Sequence, residues 1–547
     1  MKKLLLGLLL IAGIAGYAQD EMTSVYELKL EHKITRYGTG LEGDGEVSYA
    51  ASDKQLSIFD HSTGQVKWTK AFKEIAPKLR KVDVLIPFWE GDIIFLFDRK
   101  VGKDQIACVD LKTGELLWTT EKYQNLSEDN IVYIAEEKGF AVSLKDKLVF
   151  IKARTGEEKW STSTFKGVIG KYVWKDGFIV AVNFKPSGLG ALFSGFKNQI
   201  AKINLTNGEI AWEQAYIGRA ERKAITREFI FTLDLEDDMV VLKMNGIQTY
   251  SFKTGAKLWA AAFDFTAQVI RPPKDAVRFG VYGAVAEPLF DGDDVYVLDM
   301  SNTKSQYLKK YDKNSGKLLW TSAEIKAARA IPVIAKSGDK IILQIGGTVE
   351  AQARVKVTTK NADGSVSISY EDRIWYPDVK PWGLMAINTS NGEAAWRSER
   401  FKKGISNSFT NEGNVIVSSG KALYSIVAAT GDMNYEKELK EDGIGRGEKI
   451  MVYNDQVIVI GSKGVSAHNI SDGKLNSSGK YKKSFLHDAI GDYAIMKTLR
   501  SDIACFDLRT CKYKQFKARK GAGVALSKDG NFVYIYEKKT VTKLKTK

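Results

Sequence analysis

Few of the residues that build enzyme sites and covalent cross-links occur in this chain. Its 547 residues include three cysteines, four histidines and nine prolines. The histidines are His32, His61, His468 and His487. They are isolated, with no His-x-His or His-Glu-x-x-His spacing that would bring two ring nitrogens to one metal ion. No Gly-x-Ser-x-Gly elbow and no glycine-rich phosphate loop ending in Lys-Ser or Lys-Thr is present either. The sequence therefore lacks the usual signatures of zinc hydrolases, serine hydrolases and P-loop nucleotidases.

Long hydrophobic runs are also lacking, with one exception at the start of the chain. Residues 1–18 have the features of a secretory signal peptide, because Lys2 and Lys3 precede a short apolar stretch and Ala18 ends a small-x-small cleavage site. The alternative, a membrane anchor, is not favoured, since the stretch is shorter than the roughly 20 residues of a membrane span. No cysteine follows the cleavage site, so a lipoprotein is not expected. We expect an exported protein that is periplasmic, associated with the outer membrane, or extracellular.

Basic residues outnumber acidic ones, 81 to 66, and the formal net charge is +15. The lysines are spread through the whole chain, which is typical of a solvated basic surface. The sharper alternative is attraction to anionic envelope polymers or lipid head groups. No nucleic-acid partner is expected, because an exported chain does not ordinarily meet nucleic acid.

One unit recurs along the chain and is best seen at residues 106–118. Residues 106–110 alternate as a half-buried strand does, a turn sequence follows, and the chain returns in a second strand, so the unit predicts a β-hairpin. Asp110 can accept hydrogen bonds from the N–H groups of the turn, and Gly114 can adopt the positive φ that closes it. Trp118 is too large an apolar side chain to be left in water in every copy, so we expect it to pack on a neighbouring unit.

The spacing between the turn glycine and a tryptophan is constant in seven copies of this unit. In each, the tryptophan stands four residues after the glycine: Trp68, Trp118, Trp160, Trp212, Trp259, Trp320 and Trp396. Three weaker copies follow: Gly431 with Tyr435 and Gly473 with Ser477 at the same spacing, and Cys511 with Phe516 five residues later. Successive turns are mostly 42 to 52 residues apart, which suits about four short strands per unit. Units of this size are expected to stack radially as the blades of a β-propeller.

The Asp-x-x-Thr-Gly-x-x-x-Trp pattern resembles the repeat of PQQ-like (quinoprotein-type) β-propellers over nearly all of the mature chain. The resemblance implies an all-β fold of four-stranded blades, eight or more in number, in which each tryptophan docks on the adjacent blade. Ten marked turns and one unit shared by the two termini give eleven candidate blades. The strand near residues 26–34 is expected to complete the last blade and close the ring, because the C-terminal unit has no closing strand of its own.

The division of the chain into domains follows from the same count. We expect residues 1–18 to be removed and residues 19–547 to form one continuous propeller. The alternatives are partial units or a subdivision near residue 400, where the tryptophan copies end.

The three cysteines are placed by the repeat. Cys108 and Cys505 occupy the same position in two copies, which favours a small buried slot for both. Cys511 stands where other copies have the turn glycine. A disulfide between Cys505 and Cys511 stays open as an alternative, although residues six apart around a hairpin need not face each other.

Three insertions interrupt the repeat, and the fold does not require them. Residues 185–197 are apolar and rich in glycine, residues 271–279 are stiffened by prolines, and residues 353–376 predict a protruding hairpin in the seventh unit. The candidate partner-binding residues in and beside them are Leu189, Leu192, Phe193, Phe196, Trp375, Tyr376 and Trp382. Apolar side chains in such loops meet either the protein's own surface or that of a partner. The first insertion could equally fold back over the ring.

Some PQQ-like propellers are dehydrogenases that use PQQ and Ca²⁺, so the resemblance raises an enzyme as an alternative. Such enzymes typically bring a vicinal cysteine pair over the cofactor, and some have a Cys-x-x-Cys-His haem site; neither occurs here. The acidic runs at 234–238 and 291–294 contain oxygen ligands of the kind that Ca²⁺ prefers, but each directly precedes a strand, so turns are expected. We expect no cofactor and no catalysis.

Within the family, the sequence resembles the non-catalytic BamB-type branch, whose members act in outer-membrane protein assembly. The resemblance implies an exported scaffold that binds a protein partner of the cell envelope, and the inserted loops are the part of the chain that the repeat leaves for this purpose. A further alternative is a propeller that binds carbohydrate or a surface polymer through exposed aromatic residues such as Trp375, Tyr376 and Trp382. The chain is longer than BamB-type propellers and lacks their lipid-attachment cysteine, so no binding residue is carried over from them.

Overall fold

The computed structural model of the chain describes residues 20–41, 46–99, 104–123, 126, 131–144, 147–165, 168–184, 197–218, 221–226, 228–244, 246–264, 269–300, 305–361, 363–398 and 401–547. The expected signal peptide at residues 1–18 and the candidate residues Leu189, Leu192, Phe193 and Phe196 lie outside them.

Almost all regular structure in these residues is β-strand. The strands of the first half are β1 (Ser24–Lys29), β2 (Arg36–Thr39), β3 (Val47–Ala51), β4 (Gln55–Asp60), β5 (Val66–Ala71), β6 (Val84–Phe88), β7 (Ile93–Asp98), β8 (Gln105–Asp110), β9 (Leu116–Thr120), β10 (Ile131–Ile134), β11 (Gly139–Ser143), β12 (Leu148–Lys152), β13 (Glu158–Thr162), β14 (Val168–Lys175), β15 (Phe178–Phe184), β16 (Gln199–Asn204), β17 (Ile210–Ala215), β18 (Glu221–Arg222), β19 (Phe229–Ile230), β20 (Thr232–Glu236), β21 (Met239–Met244), β22 (Gly246–Ser251), β23 (Lys257–Ala261) and β24 (Ala276–Tyr282).

The strands of the second half are β25 (Leu289–Asp291), β26 (Asp294–Asp299), β27 (Tyr307–Asp312), β28 (Leu318–Thr321), β29 (Val333–Ser337), β30 (Lys340–Thr348), β31 (Glu350–Lys360), β32 (Val366–Trp375), β33 (Asp378–Asn388), β34 (Ala394–Ser398), β35 (Ile405–Asn411), β36 (Asn414–Ser419), β37 (Ala422–Val427), β38 (Met433–Glu438), β39 (Gly447–Tyr453), β40 (Gln456–Gly461), β41 (Gly464–Asn469), β42 (Leu475–Lys480), β43 (Phe485–Ile490), β44 (Tyr493–Lys497), β45 (Ile503–Asp507), β46 (Tyr513–Phe516), β47 (Gly523–Leu526), β48 (Phe532–Glu537) and β49 (Thr540–Lys545). The helices are α1 (Phe72–Ile75) and one 3₁₀ turn (Trp89–Gly91).

These strands form eleven four-stranded antiparallel sheets in the described part of the chain, which we number as blades in chain order. Blades 1 to 10 are β2–β5, β6–β9, β10–β13, β14–β17, β20–β23, β25–β28, β29-β30-β33-β34, β35–β38, β39–β42 and β43–β46. Blade 11 is β47-β48-β49-β1, in which the N-terminal β1 pairs with the C-terminal β49 from Ser24 opposite Leu544 to Lys29 opposite Thr540. The predicted all-β fold of eight or more four-stranded blades, closed by the N-terminal strand, is confirmed.

The repeated turn has the expected chemistry. In blade 2, Asp110 Oδ1 accepts hydrogen bonds from the N–H groups of Lys112 at 2.8 Å and Thr113 at 2.9 Å. The Gly114 N–H donates to the Asp110 carbonyl at 2.9 Å. The φ angle of Gly114 is +67°, which residues with a Cβ rarely adopt. A local sequence signal therefore fixes the tight connection between the third and fourth strands.

The same turns receive the tryptophan of the preceding blade. The ring of Trp68 lies on Gly114 so closely that a Cβ at that position would be 2.8 Å from the ring. The corresponding distance to the ring at the other six tryptophans is 2.3 to 2.7 Å. Each indole N–H also donates to a turn carbonyl of the next blade at 2.6 to 3.0 Å, in these pairs: Trp68 to Leu111, Trp118 to Ala153, Trp160 to Leu205, Trp212 to Phe252, Trp259 to Lys313, Trp320 to Thr389 and Trp396 to Ala428.

Two other aromatic residues continue this arrangement where the tryptophans end. Tyr435 of blade 8 lies on Gly473 of blade 9. At the closure of the ring, Tyr26 of β1 lies on Gly64 of blade 1, and its hydroxyl donates to the His61 carbonyl at 2.9 Å. A tyrosine in the N-terminal strand thus makes the contact that a tryptophan makes elsewhere.

Between blades 9 and 10, a cysteine and a serine replace the docking glycine and its aromatic ring. Cys511 of blade 10 occupies the turn glycine position with φ +53°, and its buried thiol lies near Ser477, which stands at the tryptophan position of blade 9. The smaller serine leaves room for the extra side chain. Cys108 and Cys505 are buried among apolar neighbours, and all three thiols are free, so the disulfide considered for Cys505 and Cys511 is not formed.

Strand polarity divides the connections into two sets. Because neighbouring strands of a blade are antiparallel, the first and third connections emerge at one end, which we call the turn face. The second connection and the link to the next blade emerge at the other end, which we call the loop face. The tight turns at residues 111–115 and their equivalents lie on the turn face, whereas the insertions at 185–197, 271–279 and 353–376 join strands that open on the loop face.

Whether residues 19–547 form one domain stays a prediction, with a subdivision near residue 400 as its alternative. The blades on either side of this point are in contact, since the indole of Trp396 in blade 7 lies on Gly431 of blade 8.

The docking contact predicts unequal effects of two similar substitutions. Gly114→Ala and Gly177→Ala both place a Cβ at a positive φ, but only the first brings it against a ring, because nothing lies within 4 Å at Gly177. We expect Gly177→Ala to lower the free energy of unfolding by about 1 kcal/mol from backbone strain, and Gly114→Ala by about 3 kcal/mol because overlap with Trp68 adds to it. Chemical denaturation measures both, and equal losses would contradict the docking role of the glycine.

The thiols provide a second prediction. Burial raises the pKa of Cys108, raises that of Cys505 to about 12, and raises that of Cys511 to about 11. Since the thiolate is the reactive form, we expect no thiol of the native protein to react with Ellman's reagent at pH 8 and all three to react after unfolding. Rapid reaction of one native thiol would show that its side chain is accessible.

Candidate functional site

Two insertions that look independent in the sequence form a single sheet on the loop face. β24, from the link between blades 5 and 6, pairs with β31 of the hairpin inserted in blade 7, with Phe279 opposite Ala353. The order β24-β31-β32 defines what we call the inserted sheet. Its inner face is closed by Ala351, Ala353 and Val355, which are buried. The β31–β32 hairpin was predictable from the sequence, whereas β24 was not, because no local signal encodes pairing between segments so far apart.

A third insertion, the short β18–β19 hairpin between blades 4 and 5, is attached to this sheet by partly buried polar contacts. The Ala224 N–H donates to the Tyr282 hydroxyl at 2.7 Å, and the Ile225 N–H donates to Gln352 Oε1 at 2.9 Å. Gln352 is fully buried, and its Nε2 donates to Glu350 at 2.7 Å. These bonds give partners to backbone groups that are partly shielded from water, so they hold the three insertions in one arrangement.

Between these elements lies a cleft of about 650 Å³, lined among others by Lys223, Phe229, Tyr282, Glu350 and Tyr376. Lys223 Nζ is 2.9 Å from Glu228 and 3.7 Å from Glu350. Burial disfavours the ammonium, but the hydrogen bonds and charges of the two carboxylates outweigh it and raise the pKa of Lys223. The hydrogen bond from Lys223 lowers the pKa of Glu228. The ion pairs therefore persist at neutral pH and join the β18–β19 hairpin to β31.

The aromatic residues below the hairpin connect it to the ring. Phe229 stacks on Phe184 of blade 4 with ring centroids 4.6 Å apart, and the guanidinium of Arg222 lies 4.0 Å from the centre of the Phe229 ring. The cleft is thus built on the propeller rather than on a separate loop.

The most exposed of the large apolar side chains are concentrated on the inserted sheet. Among the described residues, the large apolar side chains of highest exposure, 47% to 85%, are Ile217, Val277, Val366, Ile368, Tyr370, Ile374, Tyr376 and Leu499. All eight lie on the loop face, and six of them belong to the inserted sheet or directly follow it. The alternation Val-Ser-Ile-Ser-Tyr at 366–370 was visible in the sequence, and its apolar positions share one face of the strand; only the structure shows that this face is uncovered.

The remaining predicted site residues do not come together. Trp375 is partly buried beside Phe279, with ring centroids 6.1 Å apart, whereas Tyr376 is exposed at the rim of the cleft. Trp382 packs against the apolar cluster between blades 7 and 8, with Lys380 5.0 Å from the centre of its ring. The three side chains therefore belong to different surroundings and form no shared aromatic platform.

The acidic runs considered as Ca²⁺ ligands lie in turns on the opposite, turn face. Their carboxylates pair with lysines of the same or neighbouring blades: Asp237 with Lys313, Asp238 with Lys175, Asp291 with Lys336, and Asp294 with Lys310. In the described ranges, no group of three or more His, Cys, Asp or Glu side chains is placed to hold a metal ion. The turn face is therefore committed to contacts between blades.

Another cavity, of about 880 Å³, opens between the innermost strands of blades 1, 2, 10 and 11, where the ring closes. Tyr37, Trp89 and His487 line it, and His487 Nε2 lies 3.1 Å from the Val524 carbonyl.

None of the described helices is long and apolar enough to cross a membrane.

The partly buried bonds of Gln352 give a prediction for this site. Gln352→Ala leaves the Ile225 N–H without its acceptor, which costs about 1–3 kcal/mol locally. We expect amide hydrogen exchange in residues 221–230 to become about 5- to 150-fold faster while exchange in blades 1 to 3 is unchanged. Thr358→Ala, at an exposed position of the same strand, is the control and should change neither region. Unchanged exchange at Ile225 in the first variant would show that Gln352 does not hold the hairpin.

Comparison with solved structures gives distant likenesses. BamB from Moraxella catarrhalis shares 12% identical residues, with 82% of this chain and 98% of that chain covered and a TM-score of 0.28. A computationally designed protein shares 12%, covering 68% and 95%, with a TM-score of 0.33. The C-terminal WD40 domain of Sif2 shares 11%, covering 76% and 96%, with a TM-score of 0.35. No curated protein matches the chain significantly.

Comparison with family models gives a broader match. Residues 38–214 and 304–492 match the PQQ-like repeat model described as outer membrane protein assembly factor BamB. The segment between the two matched regions contains the β18–β19 hairpin and β24, so two of the three insertions that build the cleft lie outside the match. Since the matched residues make up more than half of the chain, it belongs to the PQQ-like repeat family of the outer-membrane protein assembly factor BamB.

Proposed function

We propose that this protein is an exported, non-catalytic scaffold that binds a protein partner of the cell envelope through the inserted sheet and the adjoining cleft on the loop face. The observation that carries the proposal is the distribution of exposed apolar side chains, which reach their highest exposure on the loop face and mainly on the inserted sheet. Contiguous exposed apolar surface on a soluble protein is typical of an interaction site.

The contrast between the two faces supports this assignment. The turn face presents short turns in which carboxylates such as Asp237 and Asp238 are paired with lysines, and its docking glycines are covered by aromatic rings. The loop face has the long insertions, and three of them are held together by partly buried hydrogen bonds that the ring itself does not need. A rigid, pre-organised surface loses less conformational entropy on binding than flexible loops do.

Membership in the BamB family supports a role in outer-membrane protein assembly or in a surface complex, with the protein located in the periplasm or at the outer membrane. The loop between β15 and β16, with Leu189, Leu192, Phe193 and Phe196, joins strands that open on the same face, and we include it in the proposed surface. The acidic turns already paired with lysines offer no support for a PQQ dehydrogenase.

Affinity capture from an envelope extract tests the proposal. The first bait is the mature chain, and the second has Val357–Ser369 replaced by Asn-Gly, which closes the hairpin at the paired residues Lys356 and Tyr370. The control bait has Lys257→Glu and Lys317→Glu on the turn-face side. We expect the same envelope protein to be captured by the first and third baits and lost from the second, with equal unfolding midpoints. Capture that is unaffected by shortening the hairpin but lost in the control would place the interface on the turn face.

The non-catalytic assignment has its own test. The mature protein mixed with PQQ and Ca²⁺ is expected to show no dye-linked oxidation of alcohols or sugars, and titration calorimetry is expected to show no micromolar binding of PQQ. PQQ-dependent oxidation of any alcohol would overturn the scaffold assignment.

A further inference from the structure

The outer strand of the inserted sheet has a free edge. β32 pairs with β31 through ten consecutive residue pairs, from Ala351 opposite Trp375 to Lys360 opposite Val366, without a register shift. β31 has β24 as its second neighbour, whereas β32 has no second neighbour among the described residues. The outward N–H and C=O groups of such an edge strand can pair with another extended chain.

Edge strands of soluble proteins are usually protected against such pairing, and half of β32 is not. The usual devices are proline, a β-bulge, a very short strand, or charged side chains along the edge. β32 is ten residues long, has no proline and has no bulge. Its charged residues, Glu371 to Arg373, lie toward the base of the hairpin, whereas residues 366–370 have no charge. The unprotected half is therefore the half that projects farthest from the ring.

The two faces of this half-strand differ in chemistry. Val366, Ile368 and Tyr370 alternate along one face and are each more than half exposed, whereas Ser367 and Ser369 point to the other face. On the neighbouring strand β31, the residues paired with these three are Lys360, Thr358 and Lys356. The ion pairs of this sheet, Arg354 with Asp372 and Arg373 with Glu371, lie nearer to its base. In the outer half of the hairpin, this face of the sheet thus has a row of apolar side chains on β32 beside two lysines on β31.

We propose that the free edge of β32 is a strand-addition site for an extended peptide segment that alternates apolar and acidic side chains. The inference rests on the proposed function and specifies the chemistry of the partner. The backbone of the segment pairs with β32, its apolar side chains extend the row of Val366, Ile368 and Tyr370, and its carboxylates are attracted by Lys356 and Lys360. An added strand would lie about 9.6 Å from β31, two strand spacings away, which is comparable with the Debye length of about 8 Å at physiological ionic strength. The lysines therefore attract the carboxylates of the segment at this distance, and added salt weakens the attraction.

A second copy of the chain is the competing occupant, because two β32 edges could pair around a twofold axis. The formal charge of +15 on each chain and the lysines beside the edge oppose that contact, so an acidic segment is favoured over self-association. Only a short stretch of strand is involved, so we expect weak binding in the micromolar range, as is typical of small interfaces.

Fluorescence anisotropy with a labelled peptide tests the proposal directly. The probe is Gly-Ser, then four Val-Glu repeats, then Gly-Ser, and the comparison peptide has lysine in place of each glutamate. We expect saturable binding of the Val-Glu probe to the mature protein, at least tenfold weaker binding of the Val-Lys probe, and weaker binding of the first at high salt. Equal binding of both probes would overturn the charge assignment.

Adjacent residues of β32 provide a matched pair of variants. Ile368→Lys and Ser369→Lys add the same charge at exposed positions on opposite faces, and neither should change the unfolding midpoint. We expect Ile368→Lys to weaken binding of the Val-Glu probe at least tenfold, and Ser369→Lys to change it less than twofold. Equal effects of the two variants would show that the apolar face is not the contact.

Backbone pairing is tested in the peptide rather than in the protein. Two versions of the probe are N-methylated at alternate residues, one along each edge. Since only one edge of an added strand can pair with β32, one version should lose binding and the other should keep it. Retention in both would overturn strand addition. A dimer in sedimentation velocity that is abolished by Ile368→Lys would instead assign the edge to a second copy.

The outcomes separate this inference from the proposed function. Absence of probe binding together with capture of an envelope protein that depends on the hairpin would overturn strand addition and leave the scaffold function standing. Absence of both would overturn both.

Discussion

The contact between an aromatic ring and a turn glycine is the interaction on which the rest of this structure depends. In seven copies a tryptophan lies where a Cβ of the following blade would stand, and its indole N–H donates to a carbonyl of the same turn. At these seven interfaces one residue thereby contributes both apolar burial and a hydrogen bond. Tyr435 and Tyr26 supply the same contact where no tryptophan is present, and in blades 9 and 10 the pair Ser477 and Cys511 replaces it.

This contact also determines which face of the ring is available for function. Each docking glycine lies in a turn-face connection, so the turn face must keep short, nearly uniform turns, and its carboxylates pair with lysines of adjacent blades. Connections on the loop face contain no docking glycine, so they can be longer without disturbing the contacts between blades. The inserted sheet, the β18–β19 hairpin and the cleft between them use this freedom, and they present the exposed row of Val366, Ile368 and Tyr370 to solvent.

Sequence patterns predicted the elements that local chemistry encodes and missed those that depend on distant contacts. The turn residues around Asp110 and Gly114, repeated with a fixed step to tryptophan, were sufficient to predict the blades, and the incomplete terminal units were sufficient to predict closure by β1. The pairing of β24 with β31 was missed because nothing near Phe279 specifies Ala353 as its partner. The joint departure of Ser477 and Cys511 from the repeat was a usable signal, since a missing ring and a missing glycine belong to one interface. Of the candidate site, the hairpin was predicted, whereas the cleft arises only when three separate insertions meet.

The repeated contact between an aromatic ring and a turn glycine, which Tyr26 of the N-terminal strand also makes, holds the described blades in a closed ring. Amide hydrogen exchange of β1 in the free mature protein tests it most directly, because pairing with β49, and not a hairpin turn, places β1 in blade 11, and Tyr26 of β1 then contacts Gly64 of blade 1. The account predicts that the paired amides of β1 exchange as slowly as those of the outer strands β5 and β9, which are joined covalently to their own blades. Exchange of β1 within seconds, with β5 and β9 protected, would contradict closure of the ring.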